Sequence, residues 1–151
     1  MNLASTSTDK FQVYNGSIFS TGADIIAIPV FENGQVTTPL GWSLASRYPE
    51  AAAAHQRLAA AKSFGEGKMS IKDNMTDSSK AYIWLIPMQE ITNLLQIRDS
   101  LAGLRRYTDE MVTTRHDLMI AFPPELTSIQ IVDEMIYCTF EDCLERVLVP
   151  C

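Results

Sequence analysis

Three strand-sized apolar blocks, set apart by longer stretches of helical period, constrain this chain of 151 residues more than any other feature. Ile25-Ile26-Ala27-Ile28-Pro29-Val30 is almost continuously apolar and largely β-branched, as a strand buried on both faces must be. The stretches 81–86 and 118–122 repeat the pattern, and each runs into proline, Pro87 in the first and Pro123-Pro124 in the second. Phe11-Gln12-Val13-Tyr14 alternates apolar and polar residues like a half-buried strand, and 68–72 and Arg146-Val147-Leu148-Val149 add two more. Between these lie helical stripes: Leu94, Leu95, Ile97, Leu101, Leu104 and Tyr107, then Ile129, Val132, Ile136, Phe140 and Cys143. Strands alternating with helices predict a three-layer α/β/α fold around a mixed sheet of about six strands.

Local chemistry refines the order. Pro29 cannot donate to a ladder, so it is expected near its strand's end. Thr38 and Pro39 read as the cap and first position of a helix whose stripe is Leu40, Leu44, Ala45 and Tyr48. Pro49 opens a second, Ala-rich helix through about Ser63, ended by Gly65-Glu66-Gly67, whose thin apolar surface implies close packing on its neighbour. A polar turn over 73–79 joins the two strands around it. With no repeat or long linker, the expectation is a disordered polar tail over 1–9 and one domain over 10–151.

The net charge of −6 repels phosphate backbones and argues against broad nucleic-acid binding. No run approaches the ~20 apolar residues a membrane span needs, and the first residues lack the pattern of a secretory signal, so a cytoplasmic location is the expectation. Cys138, Cys143 and Cys151 are an odd number without zinc-site spacing, which reads as reduced thiols, the first two facing the core from one helix. His55 and His116 are expected on solvated surface, and no metal or cofactor is implied. Trp42 and Trp84 read as core, and the pair Arg105-Arg106 as a solvated face.

The order of pieces resembles the macro-domain family, above all its branch of terminal ADP-ribose glycohydrolases and antitoxins that strip ADP-ribose from DNA. The residues that carry the resemblance are Tyr14-Asn15-Gly16-Ser17-Ile18-Phe19, the strand from Ala23 to Phe31, and the run from Leu40 to Tyr48-Pro49-Glu50. Gly67-Lys68-Met69, Tyr82-Ile83-Trp84-Leu85-Ile86-Pro87, the helix over 94–104 and Ile120-Ala121-Phe122-Pro123-Pro124 continue it. The resemblance implies a cleft for ADP-ribose at the carboxyl ends of the strands, between the strands that end at Phe31 and Phe122. It also implies which positions would do the work, and these have changed. Ser17 stands where an adenine-contacting aspartate is expected and Asn15 where some members carry a nucleophilic lysine. Ile28 and Phe31 replace two asparagines that address the distal ribose. The two Gly-rich phosphate loops have become Gln35-Val36-Thr37-Thr38-Pro39 and Glu125-Leu126-Thr127-Ser128.

What remains is a set of expectations about a remnant cleft. Its lining is expected from Gly16, Ser17, Ile18, Phe31, Asn33, Gly34, Thr37, Thr38, Gly41, Pro124, Glu125, Thr127 and Ser128. Glu32 and Glu125 would face one crevice and repel a diphosphate, or each would turn to solvent. Either glutamate, or Asp133, could serve as a general acid or base. Thr127-Ser128 would offer a phosphate site or simply cap the last helix. Three functions follow. The first is a degenerate, non-catalytic domain that binds ADP-ribose or a related nucleotide. The second is a protein-interaction module, of the kind a virus or phage would carry, with its cleft filled. The third is an ADP-ribosyl hydrolase using substituted carboxylates.

Overall fold

The computed structural model describes residues 11–14, 16–64, 68–70, 81–89, 91–112, 118–141 and 146–150. The tail over 1–9, Asn15, the turn over 73–79, Gly65-Glu66-Gly67, His116, Cys143 and Cys151 lie outside the described residues.

Among the described residues one six-stranded sheet carries the fold: β1 (Phe11–Tyr14), β2 (Ile25–Phe31), β3 (Lys68–Ser70), β4 (Tyr82–Met88), β5 (Met119–Ala121) and β6 (Arg146–Pro150), in the order β1-β6-β5-β2-β4-β3. All neighbours run parallel except β3, which lies antiparallel on β4. Helices α1 (Pro39–Arg47) and α2 (Pro49–Ala61) cover one face; α3 (Leu94–Val112), the single turn α4 (Pro124–Thr127) and α5 (Gln130–Phe140) cover the other. The three-layer expectation therefore describes the molecule.

The two-residue alternation of strands divides the core. Ile25, Ala27, Trp84, Ile86 and Ile120 pack with Leu101, Leu104, Val132, Ile136 and Phe140 on the α3–α5 side. Ile26, Ile28, Val30, Ile83, Leu85 and Ala121 pack with Leu44, Tyr48 and Ala51 on the α1–α2 side. Residues buried on both faces explain the unbroken apolar blocks, and each large side chain so buried is worth roughly 1.5–3 kcal/mol. The Trp84 indole N–H, deep in this core, donates to Ser100 Oγ at 2.9 Å. The Ala-rich α2 packs close as expected, with Ala51 fully buried.

Pro29 lies near the end of β2 as expected, whereas Pro87, expected to end its strand, sits inside β4. Pro29 pairs in register with Ile86, and β4 runs past Pro87 to Met88. The Glu32 N–H donates to Met88 O across the β2–β4 ladder, so by strand alternation both proline nitrogens point away from that ladder. On the outer side of β2, β5 pairs only with Ile25 and Ile26, short of Pro29. A missing donor costs nothing where no acceptor strand remains.

Four further expectations are corrected by tertiary contacts. Cys138 is exposed on α5 rather than facing the core. Trp42 is 59% exposed, its indole N–H donating to Val36 O at 3.3 Å, while only Trp84 is core. Leu95 falls on the outer side of α3, whereas Tyr107, though 45% exposed, keeps its ring against Trp84 at a centroid distance of 5.2 Å. Arg105 is half-buried and ties two helices, donating to Asp109 Oδ1 at 2.9 Å and to Thr139 O of α5 at 2.6 Å.

Helix α2 ends at Lys62, which adopts left-handed φ 52°, ψ 41° and sends its N–H back to Ala59 O, while Ser63 N–H bonds Leu58 O. Glycine takes this position without a Cβ penalty. Lys62→Gly is expected to raise unfolding free energy by about 0.5–1 kcal/mol, read from the urea midpoint at unchanged m-value.

Candidate functional site

A crevice forms where adjacent parallel strands send their chains to opposite faces of the sheet. Here β2 leads to α1 on one face and its neighbour β5 leads to α4 and α5 on the other. Because β5 pairs with only the first two residues of β2, the last part of β2 runs on beyond it. Two cavities open over these carboxyl ends, and they share Leu40 and Glu125.

The first, of about 260 Å³, lies over Phe31. Its floor is Pro29, Val30 and Phe31, with Met88 beside them; α1 supplies Leu40, Gly41, Leu44 and Ala45, and α2 supplies Ala52 and His55. The second, of about 270 Å³, lies over Phe122 and is walled by Tyr14, Gly16, Ser17, Ile18, Phe19, Pro39, Ser43, Pro123 and Pro124. Each is just below the usual range of a small-molecule pocket, and the two adjoin at Leu40 and Glu125. The cleft is open.

Its polar groups are largely engaged with the protein itself. Thr38 Oγ1 accepts the Gly41 N–H at 3.1 Å, the cap that the Thr38-Pro39 pair predicts. Pro39 has no N–H, so two first-turn donors of α1 are closed to a phosphate. A Cβ on Gly41 would come within 3.0 Å of Val36 Cγ1, so a larger residue there would push the Val36 side chain aside. Ser17 Oγ accepts the Phe19 N–H at 3.3 Å and caps the short 3-10 turn Ile18–Ser20. Among the residues lining the two cavities, Glu125 is the sole formal charge at neutral pH, counting His55 as uncharged.

His55 was expected at the surface. It is 3% exposed, and its Nε2 lies 2.7 Å from Phe31 O. A carbonyl only accepts, so Nε2 carries the proton. The bond ties α2 to the end of β2, and Gln56 Nε2 adds a second tie, donating to Gly34 O at 2.8 Å. The readable signal was position: Ala51 and His55 stand four apart on the buried side of α2.

The expected residues separate into two groups. Gly16, Ser17, Ile18, Phe31, Thr37, Thr38, Gly41, Pro124 and Glu125 line the two cavities. Glu32, Asn33, Gly34, Thr127 and Ser128 do not. Glu32 turns aside to accept from Gln89 Nε2 at 3.2 Å and from Gln96 Nε2, and with Asn33 it lines a separate hollow beside Lys62. The two glutamates therefore do not share a crevice. Gly34 packs under Gln56 and Ala59. Thr127 and Ser128 belong to the turn α4, with Thr127 Oγ1 on Pro123 O; α5 starts after Ile129 without a side-chain cap. Asp133 is buried in the first turn of α5. Residues missed by the sequence reading include Leu40, Leu44, Ala52 and His55, which reach the cleft by helix packing, and Met88, which reaches it by strand register with Phe31.

Replacing His55 by leucine removes the donor to the Phe31 carbonyl while keeping an apolar side chain in place. His55→Leu is expected to lower unfolding free energy by about 1–3 kcal/mol, measured by urea denaturation.

No protein-family model and no curated protein matches this sequence. Solved structures do. The macrodomain of Mycobacterium tuberculosis DarG is 17% identical with a TM-score of 0.75, over 93% of this chain and 97% of that one. The macrodomain of Thermus aquaticus DarG is 12% identical with a TM-score of 0.73, over 93% and 96%. Thermosipho africanus DarTG, solved in complex with ADP-ribose, is 13% identical with a TM-score of 0.74, over 95% of this chain and 42% of that one. Superposition across nearly the whole chain at such low identity leaves one description of the architecture: this chain is a macrodomain in fold, far diverged in sequence from its solved neighbours.

Proposed function

We propose that this chain is a non-catalytic macrodomain that binds ADP-ribose or a related nucleotide in the cleft over β2 and β5. The observation that carries the reading is the pair of adjoining, open cavities at the carboxyl ends of the strands. An open cleft speaks against the filled-cleft interaction module. The ADP-ribose in the similar Thermosipho africanus DarTG structure supplies the ligand class. Against turnover stand Glu32, engaged with Gln89 and Gln96, and Asn15, which occupies the place where the family resemblance implies a nucleophilic lysine.

Glu125 sets how well the cleft tolerates a diphosphate. Two unit charges 4 Å apart repel by about 1 kcal/mol in full solvent screening and about 4 kcal/mol at an effective dielectric of 20. Titration calorimetry with ADP-ribose, ADP, AMP and adenosine is expected to detect binding of at least one of them. Glu125→Gln is expected to tighten ADP-ribose by about fivefold or more, the low-end repulsion expressed as an equilibrium. Silence across the four compounds for both proteins would overturn the reading. Release of ADP-ribose from modified protein or DNA, abolished by Glu125→Gln, would replace it with a hydrolase.

A further inference from the structure

The cavity over Phe31 has the wrong chemistry for a sugar. Its walls are Val30, Val36, Leu40, Leu44, Ala52 and Met88. Several polar atoms there are already engaged within the protein: Thr38 Oγ1 by Gly41, Phe31 O by His55, Val36 O by Trp42, and Gln89 Nε2 by Glu32. A ribose placed there would meet mainly carbon walls, and each buried hydroxyl left unpartnered costs of the order of 1–3 kcal/mol by mutational measures. An anion is disfavoured as well, because Glu125 stands at the junction with the second cavity.

Size points the same way. An apolar cavity of about 150 Å³ holds benzene, and this one is about 260 Å³. The two ties from α2, at Phe31 O and Gly34 O, fix that helix against the end of β2.

We propose that the Phe31 cavity takes an uncharged, apolar, ring-sized group at one end of the ligand, in place of a hydroxyl-rich sugar. This deepens the nucleotide-binding reading and rests on it for the other end of the ligand, which lies in the Phe122 cavity.

Indole and D-ribose are the probes, added separately at equal concentration to the whole chain while methyl resonances are followed by NMR. Indole is expected to give saturable shifts at Val30, Val36, Leu40 and Leu44, and ribose none. Ala45 is exposed at the cavity wall, so Ala45→Phe leaves the core intact and is expected to abolish the indole shifts. Ala52→Leu fills the cavity from α2 and is expected to act alike. Absent indole shifts, shifts unchanged in both variants, or stronger shifts with ribose would overturn the proposal. Indole silence alongside ADP-ribose binding would overturn this inference alone. Indole binding alongside silence for all four nucleotide compounds would overturn the nucleotide reading and leave the apolar cavity standing.

Discussion

At the foot of β2, Asp24 bonds to both neighbouring strands at once. Its N–H donates to Met119 O and its Oδ2 accepts the Met119 N–H, each at 2.9 Å, while its carbonyl accepts the Tyr82 N–H at 2.9 Å. That clamp fixes the registers of β5 and β4 against β2, pairing Ile25 with Ile120 on one side and with Tyr82 on the other. Because β5 is short, the same register leaves β2 and β4 projecting together from Ala27 to Phe31. The cleft is the step between a short strand and a long one. Pro29 sits in that step because its missing donor faces no strand, so the irregularity and the site have one cause.

Phosphate recognition in such a step depends on free backbone amides at helix starts. In this chain the threonine and proline at the start of α1 remove two of its first-turn donors, the Gly41 N–H and the one that proline lacks. Glu125 shares both cavities with Leu40 of that first turn, so a carboxylate of the protein stands by the positive end of the helix. The macrodomain fold does not by itself carry an anion site, which is why fold likeness and ligand preference need separate arguments.

The sheet and both helical layers were legible in the sequence because burial leaves local marks. Strands covered on both faces read as continuous apolar blocks, and Thr38-Pro39 carries its cap chemistry in the letters themselves. The site was half legible. Ser17, Phe31, Gly41 and Glu125 flank elements whose ends the sequence reveals. Other placements turn on partners distant in sequence. Glu32 and Glu125 look equivalent until Gln89 and Gln96 draw one of them aside. His55 looks like a surface residue until Phe31 O accepts its proton, and Trp42 looks like core until Val36 O holds it at the rim. In each case a hydrogen bond across more than one element, or between a helix and its entry loop, decides where the side chain goes.

The two bonds from α2 to the end of β2 bear on how the cleft selects its contents. His55 and Gln56 are consecutive residues, and they brace Phe31 and Gly34 from one helix turn. A cavity braced this way keeps its form when empty, so an entering group spends little free energy on ordering the wall. The same stiffness makes discrimination steep. Close-packed walls neither collapse around a small guest nor spread for a large one, so volume and shape are judged before polarity is. Preorganisation by one histidine–glutamine pair makes α2 the mould of the site, although neither side chain was among the residues expected to touch a ligand.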